Sequence, residues 1–335
     1  MKLENKLKEK LLNKKKVLGC WTSIDNEITS ELLALVGFDF LLIDHEHGYG
    51  DVKGITRQVQ SLKETECSPL VRMPKDDEVY VKKTLDTGVN SLMFPLVNNK
   101  KEAENIVEMC RYAPKGYRGM YISRASNYGM NIKKYYETIE KNLLIVCQIE
   151  TSEGVSNIEE ISEVDGIDML FIGPMDLSTS IGKFGQFSDP VFIETVNLAK
   201  EKIMNSKKFS GMMPYGNYDW KDVFSQGFDL TTAGTELSIL RDSAISILKE
   251  FHNLRINKWI KLNLILIIKR GINLKKPLVK SLSVITIFMI IKIILINLLF
   301  ISLPILSSNA SITSNNQGLS HLIAALTKID KPKSL

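Results

Sequence analysis

Eight short apolar runs, each followed by a helical stretch, govern what this chain can fold into. They are VLGCWTS (17–23), FDFLLID (38–44), PLVRM (69–73), NSLMFPLV (90–97), LLIVCQI (143–149), IDMLFIG (167–173), FSGMM (209–213) and FDLTTA (228–233). Their apolarity is continuous rather than alternating, which marks strands covered on both faces and hence a parallel sheet. Between them lie amphipathic stretches such as EITSELLALVG, DEVYVKKTLDTG, KKEAENIVEMCRY and DPVFIETVNLAKEKI. Most of these end at Gly or before Pro, where helices stop. Eight βα units between Val17 and about Asn253 predict an α/β fold of the (β/α)8 TIM-barrel type. An open doubly wound sheet fits less well, because no Gly-rich phosphate loop follows the first run. The insertion 114–141, with APKGYRGMYISRASNYG, has the polar, aromatic, glycine-rich character of a loop lying over a site.

Charge and cysteine use narrow the classes further. The net charge of +5 comes largely from lysines in Met1–Lys16, which reads as an amphipathic or frayed start, and from Lys258–Lys280. The middle of the chain is nearly balanced, so a nucleic-acid groove, which needs a basic stripe on the folded domain, is not expected. Cys20, Cys67, Cys110 and Cys147 are widely spaced with no C-x-x-C pair. They read as small buried hydrophobes in a reducing compartment, neither a zinc site nor a disulfide framework.

In a barrel, chemistry gathers where the strands end. The second run delivers Asp44, Glu46 and His47, and the third delivers Arg72. The fifth delivers Gln148 and Glu150, the sixth Gly173, Pro174 and Asp176, and the eighth ends in AGTE. Each has a plain alternative taken singly. Glu150 reads as a helix N-terminal acid, Asp176 as an N-cap, and Arg72 as half of a surface pair. His45 has no special claim, and Cys147 and Met169 read as core. Together they form a chemical set. Glu150 and Asp176 are hard oxygen ligands suited to Mg²⁺ or Mn²⁺. Arg72 offers a fixed positive fork for a developing oxyanion. His47 near Asp44 offers a base held by a carboxylate.

The motifs GFDFLLIDHEHG, PLVRMP, LDTGVNSLMFPLVNNKKEAE, RYAPKGYRG, QIETSEGVSNIEEISEVDGIDMLFIGPMDLSTSIG and TTAGTELSIL, in that order, resemble the HpcH/HpaI aldolase family over about residues 16 to 250. The resemblance implies a class II pyruvate aldolase on a TIM barrel, commonly a hexamer of dimers that exchange the last barrel helix. It implies divalent-metal-dependent cleavage of a 4-hydroxy-2-oxo acid to pyruvate and an aldehyde through a metal-stabilised enolate, with Mg²⁺ or Mn²⁺, and Co²⁺ also compatible. Asp44, Glu46 and His47 match the family's D-x-E-H motif. His47 would act on the substrate hydroxyl through a metal-bound water, with Asp44 orienting it. Arg72 would hold the pyruvyl oxygen, and Glu150 and Asp176 the metal. Gly173 and Pro174 would line the pyruvate pocket beside Gln148. Arg118 would be the loop arginine that binds substrate, and Asp86 would reach a neighbouring subunit's site. Where the family has Gly-Thr-Asp after the eighth strand, this chain has Glu236. Two other readings stay open: a Schiff-base aldolase using Lys75, and a non-catalytic, membrane-tethered binding protein derived from an aldolase barrel.

The remainder of the chain falls outside that resemblance. The expected organisation is an aldolase barrel over 1–254, a basic linker over 255–282, a hydrophobic transmembrane-like helix over 283–306 and a polar tail over 307–335. Val284–Leu306 is almost wholly apolar, broken mainly by Lys292 and Asn297, and is long enough to span a bilayer. Either it anchors a cytoplasmic catalytic domain to a membrane, or it is the start of a neighbouring reading frame fused to this one.

Overall fold

The structure, a computed structural model, describes residues 4–272. A short helix α1 (Lys6–Leu12) precedes β1 (Val17–Thr22), α2 (Glu27–Val36), β2 (Phe40–Asp44), α3 (Val52–Ser61), β3 (Ser68–Arg72) and α4 (Glu78–Asp86). Then follow β4 (Ser91–Phe94), α5 (Lys100–Cys110), a 3-10 turn at Arg124–Ser126, α6 (Ile132–Asn142) and β5 (Leu144–Ile149). The chain continues through α7 (Ser152–Ser156), α8 (Ile158–Ser162), β6 (Met169–Ile172), α9 (Pro174–Ser180) and α10 (Pro190–Asn205). The described part closes with β7 (Phe209–Met212), α11 (Trp220–Ser225), β8 (Leu230–Thr235) and α12 (Glu236–Ile272). The eight strands, all parallel, close in sequence order into a barrel, with β1 pairing β8. This is the expected (β/α)8 barrel, and each predicted apolar run overlaps its strand.

The strands are apolar throughout because both of their faces are covered. Phe40, Leu42, Leu70, Met93, Leu144, Val146, Met169 and Phe171 pack together inside the barrel. Their neighbours Ile43, Val71, Leu92, Ile145, Leu170 and Ile172 pack outward against the helices. Strand side chains alternate with period two. The inward phase that places Leu42, Leu70, Val146 and Phe171 in the interior therefore brings Asp44, Arg72, Gln148, Glu150 and Gly173 onto the inner rim one or two steps further on. Position on the rim follows from register, not from the polarity of the residues themselves.

Within the described residues the lysine-rich start is amphipathic, as one of its two expected readings had it. Leu7 and Leu11 of α1 join the interior cluster and stopper the end where the strands begin. Asn5 caps α1 through Lys8 N–H and donates to Asn90 O, Ser91 Oγ and Asn142 O. All four cysteines are buried free thiols, as expected. Burial pushes those of Cys20, Cys67 and Cys110 up to about 12.

The last of the described helices differs from the others. Every residue of α12 from Arg241 to Glu250 is exposed, including Ile247 at 66%. The segment read as a basic linker is helical as far as Ile272. The apolar stretch 283–306, the tail 307–335 and the rest of 255–282 lie outside the described residues. Among the described residues no helix is long and apolar enough to cross a membrane.

Candidate active site

β2 and β3 run side by side with Asp44 registered against Arg72. Arg72 donates from Nε to Asp44 Oδ1 at 3.0 Å and from Nη2 to Oδ2 at 2.6 Å. The same carboxylate accepts from Trp21 Nε1 at 3.1 Å and from the backbone N–H groups of Glu46 and His47. Trp21 also lies under the guanidinium, 4.5 Å from ring centroid to Cζ. Burial alone would raise the Asp44 carboxyl, but the Arg72 hydrogen bonds and charge outweigh it and hold it below its ordinary value. The third guanidinium nitrogen, Nη1, meets Glu46 Oε2 at 2.7 Å. Burial raises the Glu46 carboxyl, against the pull of Arg72 and His47.

These contacts change the expected role of Asp44. Its oxygens are taken up by Arg72, Trp21 and the turn backbone, so it holds His47 through the main chain and not through the imidazole. The carboxylate beside the ring is that of Glu46, with Oε1 3.9 Å from Nε2. The His47 side chain stands 69% exposed at the mouth, while His45 is buried.

Two strands on, Glu150 follows β5 on the inner face. Its Oε1 accepts from Leu96 N–H at 2.8 Å and its Oε2 from Gln148 Nε2 at 2.6 Å. Burial pushes its carboxyl up to about 8, the Leu96 bond opposes this, and the charges of Asp176 and Glu46 add to it. Gly173 is required here by space: a Cβ at that position would come within 2.5 Å of Glu150 Oε2. Pro174 opens α9, and Asp176 sits exposed in its first turn, with Gly173 rather than Asp176 as the N-cap. Asp44, Glu46, His47, Arg72, Gln148, Glu150, Gly173, Pro174 and Asp176 thus share one rim. Among the described residues no three His, Cys, Asp or Glu side chains group as a metal cage. An ion held by Glu150 and Asp176 would be completed by substrate and water.

Arg118 and Asp86 do not join this rim. Arg118 is buried, donates from Nη2 to Asp86 Oδ1 at 2.9 Å and lies 4.7 Å above the Tyr112 ring. Asp86 ends α4, which runs back against the strand direction, so the pair lies toward the end where the strands begin. In its own chain Arg118 is therefore an ion-pair residue that pins the insertion, in place of the substrate-binding loop arginine expected. Glu236 uses its extra methylene to accept from the backbone N–H groups of Ser23 and of Ile24 (2.8 Å), tying β8 to the loop after β1.

Trp21 is the rim residue that the sequence did not point to, and Glu46, expected at the rim, had been given no role there. Trp21 resembles any core tryptophan in its run, whereas Glu46 stands in the D-x-E-H packet.

Residues 17–240 match the family model for HpcH/HpaI aldolase/citrate lyase. The chain belongs to the HpcH/HpaI aldolase/citrate lyase family. It is a lyase of the aldolase type. A 5-keto-4-deoxy-D-glucarate aldolase from Escherichia coli O157:H7 is 32% identical over 247 residues, 74% of this chain and 96% of the relative. Among solved structures, an HpcH/HpaI aldolase/citrate lyase family protein from Burkholderia cenocepacia J2315 superposes with a TM-score of 0.70 at 28% identity. That match covers 74% of this chain and 99% of the other. The citrate synthase SbnG gives 0.66 at 26% identity over 75% and 99% of the two chains. The HpcH/HpaI region is thus nearly the full length of these relatives, and the end of this chain extends beyond it.

Proposed function

We propose that this family member cleaves a 4-hydroxy-2-oxo acid to pyruvate and an aldehyde in a divalent-metal-dependent reaction. The observation that carries this is Glu150: a buried carboxylate beside Asp176, raised toward neutrality, with only oxygen ligands in its company. A hard cation such as Mg²⁺ or Mn²⁺, or Co²⁺, relieves that accumulation of charge, and Glu150 and Asp176 are the residues that would hold it. When bound, the ion would supply Lewis-acid polarisation of the 2-oxo acid.

The chain's own residues supply the remainder. Arg72, fixed by Asp44 and stacked on Trp21, presents its guanidinium to the C2 oxygen as negative charge grows there. His47 takes the proton from the C4 hydroxyl. The C3–C4 bond then breaks, its electron pair passing to C3 as the aldehyde leaves, and a proton returned to C3 gives pyruvate. Glu46 stands beside the His47 imidazole as it becomes cationic. Gln148 steadies Glu150, while Gly173 and Pro174 leave room for the pyruvyl group.

Lys75 is exposed, whereas a Schiff-base route needs a desolvated lysine. The name of the Escherichia coli relative supports a sugar-acid substrate. A homo-oligomer, a hexamer by family resemblance, is part of the proposal: exposed α12 needs a covering surface, and Asp86 would serve a neighbouring subunit's site.

The test is pyruvate release from a panel of 4-hydroxy-2-oxo acids, before and after EDTA and with Mg²⁺ or Mn²⁺ restored. Activity that survives EDTA, or a lysine adduct trapped by borohydride, overturns the metal route.

A further inference from the structure

We propose that His45 is a positioning residue: by bonding Tyr80 and packing against the β1–α2 loop, it fixes the turn that carries Glu46 and His47. The proposal rests on the reading of His47 as the base. Asp44 points into the barrel, so His45, next along the chain, points outward beneath the helices. There its Nδ1 lies 2.6 Å from the Tyr80 hydroxyl of α4. Its backbone N–H donates to Arg72 O at 2.9 Å, continuing the β2–β3 ladder past the last strand residue.

The other side of the ring faces an ordered polar group. Asp25, in the loop between β1 and α2, adopts a left-handed backbone with φ 58°. Its Oδ1 accepts from Gln58 Nε2 at 2.6 Å, and Gln58 Oε1 accepts from the buried Ser30 hydroxyl at 2.9 Å. Arg57 approaches Asp25 Oδ2 at 3.7 Å. A Cβ added to Gly50 would lie 2.9 Å from Asp25 Oδ1 and 3.0 Å from His45 Cε1, so the turn closes over both groups only because residue 50 has no side chain. Two successive βα connections and α4 meet around one imidazole.

His45 is 7% exposed, and its Nε2 has no hydrogen-bond partner among the described residues. A buried polar nitrogen without a partner is costly, and an aliphatic side chain would fill the same space without it. What the imidazole adds is the directed bond to Tyr80. Burial lowers its proton affinity against the charges of Asp25, Asp44 and Asp51, which suits a neutral ring in a fixed tautomer. His45 and His47 thus divide two tasks: one anchors the turn from behind, the other works at its open side.

The experiment uses the full chain and the variants Tyr80→Phe, His45→Ala and His45→Asn. Carbon–carbon cleavage is followed by pyruvate release, and enolisation by proton exchange at C3 of pyruvate. Tyr80→Phe and His45→Ala should lower kcat for cleavage by roughly 10- to 100-fold, the scale of a misplaced catalytic group, with exchange nearly unchanged. His45→Asn, whose amide sits near the place of Nδ1, should recover part of the loss, and Tyr80→Phe added to His45→Ala should cost nothing further. Amide hydrogen exchange over residues 46–50 gives a reading independent of the reaction, and both substitutions should accelerate it. Cleavage at the wild-type rate in Tyr80→Phe and His45→Ala, equal losses of cleavage and exchange, or unaltered amide protection of 46–50 overturns the proposal. An inactive wild-type chain whose 46–50 amides are loosened by both variants supports the anchoring and overturns only the reading of His47.

Discussion

Asp44 and Arg72 lock together across adjacent strands by two parallel hydrogen bonds, with side chains 3% and 6% exposed. Removing one partner of a buried pair leaves the other charge uncompensated, which is far costlier than never having had the pair. Asp44→Asn should therefore lower the unfolding free energy by about 3–5 kcal/mol, measured by urea denaturation. Arg72→Lys keeps the charge but loses the fork; cleavage and pyruvate exchange should both fall by about 10²–10³-fold. A stable, fully active Asp44→Asn would mean that Asp44 does not hold the guanidinium.

His47 is assigned the proton of the substrate hydroxyl and no part in enolisation. His47→Asn should reduce cleavage by about 10²–10⁴-fold, the usual contribution of a general base, and leave pyruvate C3 exchange in place. An active His47→Asn paired with a dead His45→Asn would reverse the roles of the two histidines.

Glu150 makes stability depend on pH in a definite direction. Its carboxyl rises from 4.5 to about 8 on folding, so the folded chain binds a proton that the unfolded chain releases. In EDTA this contribution is fully present below pH 4.5, declines as pH rises and is gone above about 8. A divalent cation competes with that proton, so Mg²⁺ should raise the thermal midpoint increasingly from neutral pH upward. Thermal melts across pH, with EDTA and with Mg²⁺, decide it. A pH-independent Mg²⁺ effect, or its persistence in Glu150→Gln, would count against Glu150 as a ligand.

Leu240 and Ile247, 65% and 66% exposed, lie on an α12 surface that another copy of the chain is proposed to cover. Replacing both with lysine should shift the protein to monomer in light scattering after size exclusion and lower activity. An unchanged mass would place the assembly surface elsewhere.

Residues 1–254 made alone should fold, oligomerise and cleave substrate, because the barrel is complete before that point. The full chain, carrying the apolar stretch 284–306, should partition into membranes, even with Lys292 near its middle. An insoluble 1–254 fragment would mean that the rest of the chain completes the fold.

The barrel and the composition of its mouth were both legible in the sequence. A strand covered on two faces must be apolar throughout, and the eight runs state this directly. Once the strands are placed, period-two alternation carries Asp44, Arg72, Gln148 and Glu150 onto the inner rim without further information. Pairing was not legible. Asp44 lies three residues from His47, and sequence proximity suggests that they form a unit. Its carboxylate is spent instead on Arg72, one strand away, because the β2–β3 register sets them opposite each other.

The same limit applies to burial of charged side chains. Arg118 sits in a polar loop, yet Asp86 of α4 and the rings of Tyr112 and Tyr135 close around it. His45 and His47 are two residues apart in one packet, and which of them is covered depends on where α4 docks. The sequence by itself determined the strands, their phase and the set of functional groups at the mouth, because these follow from local periodicity and from what a doubly covered strand requires. Only the tertiary structure decided which carboxylate holds which cation and which histidine faces water, because those outcomes rest on contacts between elements far apart in the chain.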